Sequence, residues 1–208
     1  MTKIDRYLPV LSSEINTYSG VKADDGRYMD LIFENVSFKT NFCVEFNGCS
    51  FNRVIFIGDL TKVKFIDCMF SHCDFSNHDL SQSLFMRVLF EHCKGTGSSF
   101  HKSKFKYTTF KSGSFPLSDF SESHFEYVRI HDCNLSESAF QACQQINFEI
   151  RNVDFTLVDF TSTSLAKMDL SGCKIQGVRL SPNLLKGLIL DAHQTVGLAA
   201  LFGVIVKE

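Results

Sequence analysis

The chain has 208 residues and a formal net charge of −2, from 21 Lys and Arg against 23 Asp and Glu. That length can bury a sizeable core, and that balance excludes both a globally basic nucleic-acid binder and an acidic disordered chain. No apolar run approaches ~18 residues, so no transmembrane helix is expected; 22 Phe beside three Pro and no Trp point instead to something repeated.

Residues 1–20 lack the charged-then-apolar layout of a signal peptide. The expectation is a cytoplasmic protein with reduced cysteines. Residues 1–27 show no repeat and are expected to cap the N-terminal end. Tyr28, Phe33 and Phe38 then fall five apart, as do Phe46, Phe51 and Phe56, with Cys49 and Val54 two places before the last two. The steps Phe38 to Phe46 and Phe56 to Phe65 are eight and nine residues, which implies local kinks and no projecting loop.

From Phe65 to Leu190 every fifth residue can be read without a slip. Of these 26 positions, 24 are Phe, Leu or Ile, and only Gly95 and Gln145 fail. Chance does not give this in a chain that is 44% hydrophobic. Phe65, Phe70, Phe75, Phe85, Phe105, Phe120, Phe155 and Phe160 are the expected core ladder. Two places before each centre the side chain is mostly small, as in Cys68, Cys73, Ser83, Ser98, Ser103 and Ser118. The remaining places are largely Ser, Asp, Asn, Lys, Glu and Gln.

A period of five fits neither a 3.6-residue helix nor a two-residue strand alternation. Two inward residues per five, with one outward between them, suit a short extended segment followed by a turn. Four such units close into a square coil of about 20 residues, and stacked coils make an all-β solenoid in which each coil touches only its neighbours. The body is expected over 28–190. Beyond it, SPNLL (181–185) bends the chain, Asp191 is placed to cap a helix over 192–202, Gly203 to end it, and Val204–Val206 to form a short strand. The residues Leu198, Leu201, Phe202, Val204 and Ile205 are too apolar to face solvent. They either pack on the chain's own last coil or join two copies as a homodimer, and the second reading is favoured.

No nucleotide loop, Ser-His-Asp arrangement or metal motif appears, so the expected activity is binding, not catalysis, with no cofactor. Seven of the eight cysteines sit two before a centre (49, 68, 73, 93, 133, 143, 173) and read as small buried fillers. Cys73 and Cys93 would stack one coil apart, but no disulfide is expected in cytosol. His72 and His92 share a face and read as a solvated pair.

Residues 20 apart share a face, so charge can be assigned to faces. The face of Phe65, Phe85 and Phe105 carries a net +4, while the other three carry −2, −1 and −2. Asp79, Asp119 and Asp159 form a line on the face of Leu80. With Glu122, and with Asp74 and Asp154 on the neighbouring face, they form the candidate acidic docking side.

Stretches such as CDFSN (73–77), SDFSE (118–122) and CNLSE (133–137) resemble the pentapeptide-repeat family, whose fold is a right-handed quadrilateral β-helix. With FIDCMF (65–70), FSHCDFSNHDLSQ (70–82), DLSGCKIQGVRL (169–180) and LDAHQTVGLAALFGVIV (190–206), the chain looks like the Qnr quinolone-resistance branch, and like its loopless Gram-positive and mycobacterial relatives, since 65–190 leaves no room for a loop. The resemblance implies a rod-shaped dimer that binds the protein partners DNA gyrase and topoisomerase IV in place of DNA and protects them from fluoroquinolones. It implies no direct contact with nucleic acid or membrane. A scaffold with an unrelated partner, and self-immunity against a topoisomerase-poisoning toxin, stay open as alternatives.

Overall fold

A five-residue unit that buries two side chains and then turns must either wander or close. Here it closes. The computed structural model describes residues 6–18, 26–40, 44–199 and 203–205, and it is a parallel β-solenoid with one short helix near its C-terminal end. Successive coils lie in strict register: Phe65 pairs with Phe85, Phe85 with Phe105 and Phe105 with Phe125. The adjacent side repeats this with Phe51, Phe70, Phe90, Phe110 and Ile130. No described helix is long and apolar enough to cross a membrane.

The core is the expected ladder, and all eight phenylalanines named for it are at most 1% exposed. Rings on one side of the square stack flat. Phe85 and Phe105 lie 4.8 Å apart at 6°, and Phe105 and Phe125 5.1 Å apart at 4°. Rings on adjacent sides meet edge to face, as with Phe65 and Phe70 at 4.9 Å and 86°. Both arrangements suit the ring quadrupole.

The two breaks in the series are repaired by neighbours. A side chain on Gly95 would collide with the Phe115 ring, which fills the space left open there. At Gln145 the aromatic has moved: Phe148, large where other coils carry a small residue, stacks 5.0 Å from Phe125. The irregular start is absorbed by shorter coils. Tyr28 pairs with Phe46, 18 residues on, and Phe46 with Phe65, 19 on. Buried Leu60 holds the fourth side only four residues after Phe56.

The corners all have one conformation. The residue two after each centre has a positive φ, from Asp67 (51°) through His72, Asn77, Gln82 and Arg87 to Lys167 (65°). Leu117 at 59°, Tyr107 at 54° and Leu157 at 61° obey it as well. Bulky L-residues resist this region. Where neighbouring coils pair, the corner N–H holds it there: Arg87 donates to the Lys106 carbonyl at 2.9 Å and Tyr107 to that of Glu126 at 2.9 Å.

The small residues before each centre do more than fill space. Ser83, Ser103 and Ser123 donate to the carbonyls of Leu60, Leu80 and Phe100 at 3.2, 3.0 and 2.8 Å. Ser103 and Ser123 also accept the N–H of the serine one coil before, at 3.0 Å each. The thiols of Cys68, Cys73 and Cys93 make the same donation at 3.5–3.6 Å. All seven described cysteines are free and buried, Cys73 and Cys93 included, and Cys43 lies outside the described residues.

Burial pushes the Cys143 thiol up to about 12 and that of Cys133 to about 11, against an ordinary value of 9.0, although nearby backbone amides pull the other way. The folded state therefore holds these protons after the unfolded chain has released its own. The stability this confers is complete below pH ~9 and is lost as pH rises toward 11–12. Thermal melting should show Tm falling between pH 9 and 11, and Cys133→Ser with Cys143→Ser should flatten that fall.

At the N-terminal end, Asn16–Thr17 pairs with Leu31–Ile32 and Tyr18 stacks 4.6 Å from Phe33 over the first rings. Residues 7–10 lie elsewhere, along one outer corner of the rod. The Val10 N–H donates to Asp67 Oδ1 at 3.1 Å, Tyr7 stands edge-on to Tyr107 at 6.2 Å, and the Arg129 guanidinium lies 3.4 Å from the Tyr7 ring.

At the other end a 3-10 turn, Pro182–Leu184, makes the expected bend, and the helix spans Ala192–Ala199. Residues 200–202 of the expected helix, and Val206, lie outside the described residues. Val204 and Ile205 are not in a strand. The Asp191 side chain does not cap the helix; its Oδ2 accepts the Gly172 N–H at 2.6 Å, one coil back. Gln194 supplies the closure instead. Its Oε1 accepts the Asp191 N–H at 2.7 Å, and its Nε2 donates to the carbonyls of Leu170 and Cys173 at 2.9 and 2.7 Å.

Candidate protein-binding face

The outward residue just before a centre stands at the start of a corner, where the backbone N–H two residues on points outward. A carboxylate there accepts it and forms an Asx turn. Asp74 takes the Ser76 N–H, Asp79 that of Ser81, Asp119 that of Ser121 and Asp159 that of Thr161, each at 2.8 Å, and Asp154 takes that of Thr156 at 3.0 Å. The acidic candidates are thus first of all corner-forming residues, and the turn fixes where each carboxylate points.

The second carboxylate oxygen separates them. Asp159 is only 4% exposed, and its Oδ2 meets Arg179 at 2.8 Å and Gln141 at 2.5 Å. Asp154 meets Lys174 at 3.1 Å. Glu122 lies 3.4 Å from Lys102 and 3.7 Å from His101, whose other ring nitrogen is 3.8 Å from Asp119. Asp74 and Asp79 are exposed and have no ion-pair partner within 4 Å among the described residues. For Asp159, burial opposes the charged form, but the hydrogen bonds of Thr161 and Gln141 and the Arg179 charge outweigh it and hold the carboxyl below its usual range. Asp154 and Asp74 are held down in the same way, by Thr156 with Lys174 and by Ser76 with Lys94 and His78.

Opposite charges recur 20 residues apart and pair along the rod, as in Glu91–Lys111 at 2.7 Å, Lys106–Glu126 at 2.8 Å and Arg129–Glu149 at 3.2 Å. Counting charge by face therefore overstates the contrast between faces. The acidic side is most open at Asp74, Asp79 and Asp119, is matched by Lys102 at Glu122, and ends at Asp159 under Arg179. The best-made ion pair lies away from it, where Arg87 meets Asp67 through two bonds at 2.5 and 2.6 Å. That pair had a sequence signal in the spacing of 20.

Of the residues named for a dimer contact, Leu198 is 7% exposed within the monomer's own core, whereas Val204 and Ile205 are 54% and 87% exposed. Leu201 and Phe202 lie outside the described residues. Among the described residues no three metal-ligating side chains converge, and His72 stacks 5.1 Å from His92.

A family profile described as the pentapeptide repeat region matches residues 43–120 and 63–140, and one described as pentapeptide repeats (8 copies) matches 147–180. No curated protein matches in sequence. Among solved structures, a trypsin-treated form of QnrB1, a plasmid-mediated fluoroquinolone resistance protein, is 15% identical with a TM-score of 0.42, covering 87% of this chain and 100% of that one. Full-length QnrB1 is 14% identical at 0.37, covering 86% and 100%. HetL of Nostoc sp. strain PCC 7120, a pentapeptide repeat protein involved in heterocyst differentiation regulation, is 12% identical at 0.39, covering 78% and 86%.

Proposed function

Because this chain belongs to the pentapeptide-repeat family, whose profiles run over most of it, we propose that it acts by binding and not by catalysis, as a rigid rod that occupies the DNA-binding groove of a type II topoisomerase, DNA gyrase or topoisomerase IV, and protects that enzyme from fluoroquinolones. The observation that carries this reading is the set of carboxylates at Asp74, Asp79 and Asp119, each aimed outward by its own Asx turn. Asp79 and Asp119 are two coils apart, or ~9.6 Å. Duplex DNA presents one charge per ~1.7 Å, so carboxylates this sparse do not copy its phosphate array charge for charge, and shape must contribute more than charge. Binding should therefore be less salt-dependent than that of DNA.

Purified gyrase, assayed for supercoiling with and without a fluoroquinolone while this protein is titrated, tests the reading. Asp79→Asn with Asp119→Asn keeps the turn-forming oxygens and removes two charges. It should leave Tm unchanged and weaken the effect on gyrase roughly three- to tenfold. Lys104→Gln on the opposite-charge face should do little. If the wild-type protein alters neither gyrase nor topoisomerase IV, the rod is a scaffold for another partner.

A further inference from the structure

The coils separate at one place. The strand Gln144–Arg151 pairs with His124–His131 and with no other strand. One coil earlier the Asp132 N–H reaches the Arg151 carbonyl at 3.0 Å. Two coils earlier Tyr107 and Ser112 reach Glu126 and His131 at 2.9 and 3.0 Å. The corresponding N–H groups of Asn147 and Asn152 meet no carbonyl among the described residues.

The separation is bounded on both sides. The Cys143 N–H reaches Thr163 Oγ1 at 2.9 Å just before it, and the Lys174 N–H reaches the Val153 carbonyl at 3.0 Å just after. Between these points a single side chain crosses, with Gln145 Nε2 donating to the carbonyls of Ala166 and Ser164 at 3.2 and 3.5 Å. The result is a cleft of about 750 Å³, lined by Tyr7, Ile146, Phe148, Arg151, Lys167 and Asp169 among others.

An open sheet edge presents a row of N–H and C=O groups that is a template for another extended backbone. We propose that the edge of Gln144–Arg151 is a docking site for an extended peptide of a partner protein, one that alternates apolar and acidic residues. The alternation follows from the two walls. Toward the rod the cleft offers half-buried Phe148 and exposed Ile146. Toward solvent the lining carries two cations, Arg151 and Lys167, and two carboxylates, Glu149 and Asp169, and of the cations Lys167 is the one left to meet a carboxylate of the peptide. Glu149 is already shared by Arg129, Arg151 and His131 at 3.2, 2.8 and 3.2 Å, and Asp169 accepts from the Ser171 N–H and hydroxyl. Lys167 has no carboxylate within 4 Å among the described residues.

The probe is a synthetic peptide, acetyl-Val-Glu-Val-Glu-Val-Glu-amide, with two controls: the same sequence N-methylated at alternate amides, and Lys in place of Glu. Hydrogen exchange read at single amides is the measurement. In the free protein Asn147 and Asn152 should exchange at least about 100-fold faster than Tyr107 and Asp132. The acidic peptide should slow them, the N-methylated one should not, and Lys167→Glu should weaken the peptide roughly tenfold without moving Tm. Three results would overturn the proposal. Asn147 and Asn152 could be as protected as Tyr107 in the free protein, which means that the edge is closed. The acidic peptide at millimolar concentration could leave them unprotected, or the N-methylated peptide could protect them equally. Protection that grows with protein concentration alone would assign the edge to a second copy, and would overturn it too.

Discussion

Phe105→Ala will cost about 3–5 kcal/mol of stability. Its ring is 1% exposed and is stacked between Phe85 and Phe125, with Phe110 and Phe120 beside it at 5.7 and 6.1 Å. Truncation removes a ring from the middle of a stack, where the rings above and below are pinned by backbone register and cannot close the gap. Chemical denaturation should show this loss. A variant as stable as the wild type would mean that the stacked rings are not what holds neighbouring coils together.

Ser103→Ala should be almost as damaging for a single oxygen atom. The hydroxyl donates to the Leu80 carbonyl and accepts the Ser83 N–H, both at 3.0 Å, and Ser83 and Ser103 are buried. Neither backbone group has another hydrogen-bond partner among the described residues. Leaving two buried polar groups unmatched costs roughly 1–3 kcal/mol each. Ser103→Thr retains the hydroxyl and should recover part of the loss in the same denaturation experiment. Equal stability of Ser103→Ala and wild type would reduce the small residues to mere fillers of space.

The aromatic ladder could be read from the sequence because its cause is local: one side chain in five must point inward, whatever lies far away. Phe148 escaped that reading because its place depends on Gln145 having vacated a position beneath Phe125, a contact across a whole coil. The corners escaped it too. Tyr107 and Leu117 are poor residues for a positive φ, and only the ladder of hydrogen bonds holds them there. Gln194 gave no sign of closing the last coil, since glutamine in a helix is ordinarily solvated. The acidic line was visible as a spacing of 40, but the burial of Asp159 under Arg179 was not. Nothing local in Tyr7 points to Arg129, more than a hundred residues away.

A square coil built from interchangeable sides has a consequence for how such a chain changes. Loss of five residues within 65–190 removes one side, and everything beyond it rotates a quarter turn about the axis and shifts by ~1.2 Å along it. Inside, one inward Phe or Leu replaces another and packing survives. Outside, every line of charge is cut and rejoined to a different one: with five residues lost between Asp119 and Asp159, these two would no longer share a side of the rod. The interior and the exterior are thus inherited on different terms, and slippage by one unit can deal this protein a new surface at little cost to its fold.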